Sequence, residues 1–219
     1  MPTARAAAQR IKTMRHRPVV RFALAVLGVG LLAGGLAVAA DEPATRRLGK
    51  TVAQYRDDGI QAAVSWKYTQ LHPDEKWTYF ELWVMPLSGG GVEIDREDVS
   101  LFLPDGTRLP LPSQKRLAEG LPDIRRVLTS GDVSRDPMEG YFTSRWVLVR
   151  IGFHAVPGTS LTYDSRGLGA YDCGTGDLFW ENPKGRWEPG IYTLAIQHKG
   201  LDVKIPMPIG IEGELERVK

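Results

Sequence analysis

Asp164, Asp172 and Asp177 fall within one short stretch that also holds Gly167, Gly169, Gly174 and Gly176. Calcium takes several oxygen ligands at about 2.3–2.6 Å, and glycine lets backbone carbonyls turn toward an ion. These three aspartates are therefore the candidate metal ligands, with calcium as the ion, although the stretch lacks the spacing of an EF-hand loop. Asp and Gly also favour turns for backbone reasons alone, so a solvated loop has the same composition. The second candidates are Trp180 and Trp187, which flank a Pro/Gly-containing stretch. Indole rings on a loop can stack on sugars or grip a peptide. Trp77, Tyr79 and Trp83 share one face of a longer apolar run and are expected in the core instead.

Other chemistry is sparse. His72, His154 and His198 lie far apart, and none sits in an HExxH, HxH or CxxC context, so no transition-metal site is expected. The chain has no GxSxG elbow, no Walker loop and no GxGxxG loop. Carboxylates recur at Glu81, Asp95, Glu97, Asp98, Glu181 and Glu188. A glycoside hydrolase needs two carboxyls about 5–9.5 Å apart, which keeps a hydrolase working from strand-end carboxylates as the alternative to a non-catalytic protein. Cys173 is the sole cysteine, which excludes an intramolecular disulfide and reads as a buried thiol.

The first forty residues set the compartment. Arg5, Arg10, Lys12, Arg15, Arg17 and Arg21 precede an uncharged apolar run from Phe22 to Ala40, which ends in Ala37-Val38-Ala39-Ala40. A basic start, an apolar middle and a small-residue end are the pattern of a secretory signal peptide at 1–40. If 22–40 stays uncleaved, it becomes a membrane anchor and the protein a membrane-tethered accessory subunit. Either way the remainder is expected outside the cytoplasm, periplasmic or secreted. Those six cations mask the balance of the rest: residues 41–219 hold 22 basic and 26 acidic residues, a net charge of −4. That excludes the basic footprint of a nucleic-acid binder.

The positioning elements are strands. Residues 41–60 read as a flexible polar lead-in, with a helical turn near Val52–Arg56. Val64, Trp66 and Tyr68 alternate with polar residues, and Trp77 to Leu87 is apolar on both faces, as a central strand must be. Pro104-Asp105-Gly106 is turn chemistry between two short strands and predicts a hairpin. Leu117, Leu121, Ile124 and Leu128 have helical spacing interrupted by Pro122, which predicts a broken helix or two short ones over 113–128. Strand patterning resumes over 142–154, 178–180 and 190–198. Residues 203–211 close the domain as an edge strand, because Pro206 and Pro208 cannot donate to a ladder.

Eight or nine short strands with one helical insertion predict an all-β domain over 61–211, followed by a tail at 212–219. The stretch Glu188-Pro189-Gly190-Ile191-Tyr192-Thr193-Leu194 resembles the start of a late strand in immunoglobulin-like sandwiches. That resemblance implies a tyrosine bonded to nearby backbone at a corner, and an immunoglobulin-like β-sandwich; a small β-barrel or jelly roll is the alternative. The expectation is an exported, non-catalytic binding or structural module of the cell envelope whose partner is a protein or a glycan.

Overall fold

The computed structural model describes residues 44–142, 146–155 and 161–211. The leader at 1–40 and the tail at 212–219 lie outside the described residues. In chain order the elements are β1 (Thr45–Arg47), β2 (Val52–Arg56), β3 (Ile60–Ser65), α1 (Lys67–Leu71), β4 (Trp77–Pro86), β5 (Val92–Asp95), β6 (Val99–Phe102), β7 (Arg108–Pro110), α2 (Gln114–Glu119), α3 (Leu121–Val133), β8 (Val147–Arg150), β9 (Ser165–Leu168), β10 (Asp172–Glu181), β11 (Gly190–His198) and β12 (Leu201–Ile209). Tight 3-10 turns occupy Arg96–Asp98 and Met138–Tyr141.

The fold is mostly strand. One sheet has six strands in the order β1-β2-β3-β4-β10-β8, a second has four in the order β12-β11-β6-β7, and β5 pairs with β9 in a separate ribbon. Every pairing is antiparallel except β8 with β10. The two larger sheets face each other across one apolar core. Phe80, Leu82, Val84, Leu178 and Trp180 come from the first sheet, and Val99, Leu101, Leu194, Ile196, Ile205 and Met207 from the second. Trp66 fastens the layers, its indole N–H donating to the Pro208 carbonyl at 3.1 Å.

The outer face of the six-stranded sheet is also covered. At one end α2 and α3 lay Leu117, Ile124 and Val127 on Trp77, Tyr79 and Phe179. At the other end Met138 and Phe142 pack on Val52, Trp83, Met85 and Cys173. This explains why all ten residues of β4 are buried: one face meets the sandwich core, the other the helices. Gly131 lets α3 come close, since a Cβ there would lie 2.9 Å from the Tyr79 ring. Pro122 starts α3 rather than kinking it, because proline is tolerated in the first helical turn.

Several expectations hold. The hairpin forms at Pro104–Gly106, with Gly106 at φ +83°. β12 is an edge strand, as its prolines require. Tyr192 donates its hydroxyl hydrogen to the Glu188 carbonyl at 2.7 Å. Others need correction. Val52–Arg56 is a strand, not a helical turn, because Ala53 enters the sandwich core while Val52 serves the opposite apolar cluster. β1 and β2 thus extend the sheet into the segment read as a flexible lead-in. Residues 164–177 are not a loop: β9 and the first half of β10 run through them. Gly174 and Gly176 favour a loop by composition alone. They sit in β10 because Cβ atoms there would meet Leu168 at 2.7 Å and Ile151 at 3.2 Å. Among the described residues no helix is long and apolar enough to cross a membrane.

Candidate functional site

Ser65, Glu81 and Asp177 lie side by side across β3, β4 and β10. Alternation along a strand puts every second residue on one face, so Tyr79, Glu81 and Trp83 all point toward the helical layer. The row beside this one, Tyr79 with Phe179, is stacked aromatic, with centroids 5.4 Å apart. The row on the other side pairs Trp83 with Thr175 and leads into the Phe142 and Trp146 cluster. A polar seam therefore runs between two apolar caps on the same sheet face.

Glu81 and Asp177 are directly cross-strand, an arrangement that repels when both are charged. The chain solves this with the segment that leaves α3. Arg135 reaches down so that Nη1 lies 3.2 Å from Glu81 Oε1 and Nη2 lies 3.1 Å from Asp177 Oδ1, with a further bond to Asp132 at 2.8 Å. Its guanidinium also sits 5.6 Å from the Tyr79 ring centroid. The next residue, Asp136, accepts from Ser65 at 2.6 Å and from Thr51 at 2.9 Å, and pairs with Lys67 at 3.5 Å. Adjacent residues of opposite charge thus zip the loop onto the seam.

The remaining lone pairs are partly taken. Trp83 donates its indole N–H to Glu81 Oε1 at 2.9 Å, and Tyr79 donates its hydroxyl to Asp177 Oδ1 at 2.9 Å. Burial lifts the Glu81 carboxyl above its ordinary value, opposed by the Trp83 and Arg135 donors. Burial works to lower the Arg135 value, but Asp177, Tyr79 and Glu81 around it raise it above the ordinary guanidinium range. Tyr79 is raised by burial and by Asp177, so it stays a neutral donor. His154 packs edge-on against Phe179 behind this site; burial lowers its value, and its Nε2 has no hydrogen-bond partner.

Above the seam opens a pocket of about 580 Å³, floored by Glu81, Trp83, Thr175 and Asp177 and walled by Leu128, Asp132, Arg135, Leu148 and Arg150. That volume lies within the range of small-molecule sites. Arg150 comes from β8, the edge strand, is half exposed, and lies 4.0 Å from Asp177 Oδ2. Glu81 Oε2 carries no hydrogen bond to a described residue.

The sequence-derived candidates fall elsewhere, with one exception. Asp177 is in this pocket. Asp164 is engaged with Arg96 at 2.8 Å, and Asp172 accepts from the Gly169 amide at 2.8 Å. The three are not grouped as one ligand cluster: Asp164 precedes β9, Asp172 opens β10 after a tight turn at Gly169, and Asp177 lies midway along β10. Among the described residues, the three ligating side chains that do converge are Asp95, Asp98 and His198. Trp180 and Trp187 are 1% and 2% exposed, and neither offers a ring face to a ligand. Their N–H groups are satisfied internally, Trp180 by the Leu109 and Pro110 carbonyls and Trp187 by the Glu75 carbonyl at 3.1 Å. They are core residues because each has an apolar body to bury and a backbone acceptor within reach.

Arg135, Asp132 and Arg150 carry the pocket and were not singled out from sequence. A usable signal existed: Glu81 lies between Tyr79 and Trp83 on a strand apolar on both faces, and a buried carboxylate requires a cation or donors. Comparison with protein-family models, with curated proteins and with solved structures finds no match.

Proposed function

We propose that this protein is an exported β-sandwich module that binds a saccharide of the cell envelope, without catalysis, in the pocket above Glu81 and Asp177. One observation carries the reading: carboxylates and a half-exposed guanidinium alternate around a single open cavity whose walls include Leu128 and Leu148. Sugar hydroxyls both donate and accept, so they need acceptors such as Asp132 and Asp177 beside donors such as Arg150 and Thr175. The C–H face of the ring needs an apolar wall. The three acids outnumber the two arginines, which favours neutral and amino sugars over anionic ones. Export rests on the basic, apolar and small-residue succession of residues 1–40. Within the sandwich class we read the architecture as immunoglobulin-like, supported by the Tyr192–Glu188 corner bond.

The test is calorimetric titration with N-acetylglucosamine, glucosamine and glucose oligomers. Arg150→Ala removes a half-exposed side chain, leaves the core untouched, and is expected to weaken binding about tenfold or more, the loss of one charge-assisted contact. Absence of binding across the panel, or binding indifferent to Arg150→Ala, refutes the reading.

A second reading is hydrolysis by the Glu81–Asp177 pair. It is favoured by the raised Glu81 carboxyl, since a proton donor works best with a value near the operating pH. New reducing ends that appear with wild type and vanish with Glu81→Gln mark the hydrolase; binding without product marks the module.

A further inference from the structure

The geometry points to a zinc-class divalent metal site formed by Asp95, Asp98 and His198, on the opposite sheet system from the saccharide pocket and independent of it. Two ligands come from one turn and the third from a strand about a hundred residues later. Asp95 ends β5, Asp98 closes the 3-10 turn before β6, and His198 ends β11. His198 Nδ1 lies 2.7 Å from Asp98 Oδ2 and 3.7 Å from Asp95 Oδ2. Zinc binds imidazole nitrogen and carboxylate oxygen at about 2.0–2.2 Å, so tetrahedral geometry separates two ligand atoms by about 3.4 Å. The 2.7 Å contact is a hydrogen bond that a bound ion would replace, and the three ligand atoms all lie within 4.8 Å of one another.

This is a mixed nitrogen and oxygen donor set rather than an acidic patch, and two further facts favour a cation. Neither Asp95 nor Asp98 pairs with a lysine or arginine among the described residues; their recorded ionic partner is His198, and Asp98 Oδ2 also accepts from the Asp95 amide at 3.1 Å. The nearest buried cation, Arg96, is committed elsewhere, to Asp164 Oδ1 at 2.8 Å, to the Pro112 carbonyl at 2.7 Å and to the Phe153 carbonyl. Arg96 thereby fixes the turn that carries both aspartates without neutralising them. All three side chains are partly exposed, at 15% for His198, 28% for Asp95 and 14% for Asp98, which leaves a path for the ion and a fourth position for water. Three protein ligands with an open position suit zinc; calcium, which takes six to eight oxygens, finds too few here. The bound ion clips the end of β11 to the β5–β6 corner.

The experiment is thermal unfolding and calorimetry of the full chain, stripped with chelator and titrated with zinc chloride, with calcium chloride in parallel. One zinc per chain is expected, raising the midpoint by about 5–10 °C at a hundredfold excess over Kd. Calcium is expected to give no shift. Cobalt substitution is expected to produce the visible absorption of a tetrahedral ion. His198→Ala and Asp98→Asn are each expected to remove the shift and the absorption, with far-ultraviolet circular dichroism confirming that they fold; His72→Ala is expected to keep both. The absence of a zinc shift up to millimolar ion overturns the proposal. A shift that survives His198→Ala overturns it as well, since the ion then binds elsewhere.

Discussion

Arg135→Ala isolates the device on which the pocket depends. The substitution leaves Glu81 and Asp177 facing each other across the β4–β10 ladder with no guanidinium between them. Removing one partner of a buried ion pair costs about 3–5 kcal/mol. Arg135 keeps about one-third of its side chain in solvent, so the screened cost is about 2–3 kcal/mol at pH 7. For a chain of this size that is a fall of about 5–10 °C in Tm. The pH dependence identifies the cause. Without Arg135, repulsion raises the Glu81 carboxyl further above its ordinary 4.5. A carboxyl whose folded value exceeds its unfolded value binds more protons when folded, so stability falls as pH rises from 4.5 through the folded value. The deficit of the variant is therefore smaller near pH 4.5 than near pH 8. Urea unfolding of both proteins between these limits measures it, and Glu81→Gln placed in the variant is expected to restore at least half the loss. A deficit below about 0.5 kcal/mol at pH 7, the size of an ordinary surface change, refutes the reasoning. So does a deficit of equal size at both ends of the range.

Three other outcomes are expected. Trp180→Ala and Trp187→Ala each lose about 3–5 kcal/mol in denaturant unfolding, because both rings are packed in the core; loss of saccharide binding without loss of stability contradicts this. Gly131→Ala gains about 1 kcal/mol of helix propensity yet is destabilised overall by about 1–3 kcal/mol, since its Cβ meets a Tyr79 ring held by Phe179 and Asp177; chemical denaturation gives the sign. Cys173 is fully buried and burial pushes its thiol up to about 12, so the native protein resists iodoacetamide at pH 8 and takes one equivalent on unfolding; modification of the folded state contradicts the packing.

Local patterns proved legible where one force dominated. β4 is apolar on both faces and lies between β3 and β10 as such a strand must. The prolines of β12 kept it at an edge, and the turn at Pro104–Gly106 closed the hairpin. Patterns failed where a tertiary neighbour set the residue type. Gly174 and Gly176 read as loop because their need for close approach by Ile151 and Leu168 is invisible along the chain. Trp180 read as a surface ring because its acceptors, Leu109 and Pro110, are about seventy residues away. The site was half legible. Asp177 and Glu81 stood out as acids, but their adjacency is a property of strand register, and Arg135 arrives from the far end of a helix. His198 has no ligating residue among its sequence neighbours, because its partner Asp98 is a hundred positions earlier.

The most direct test of the account is an amide and indole nitrogen–proton correlation spectrum recorded while a saccharide is added. The chain has six tryptophans, and Trp83 is the one whose N–H donates to a pocket carboxylate. The account predicts that the Trp83 indole resonance moves saturably with the backbone signals of Thr175, Gly176 and Leu148, while Trp180 and Trp187 stay still. Movement centred on Trp180 or Trp187, or none at saturating saccharide, contradicts it.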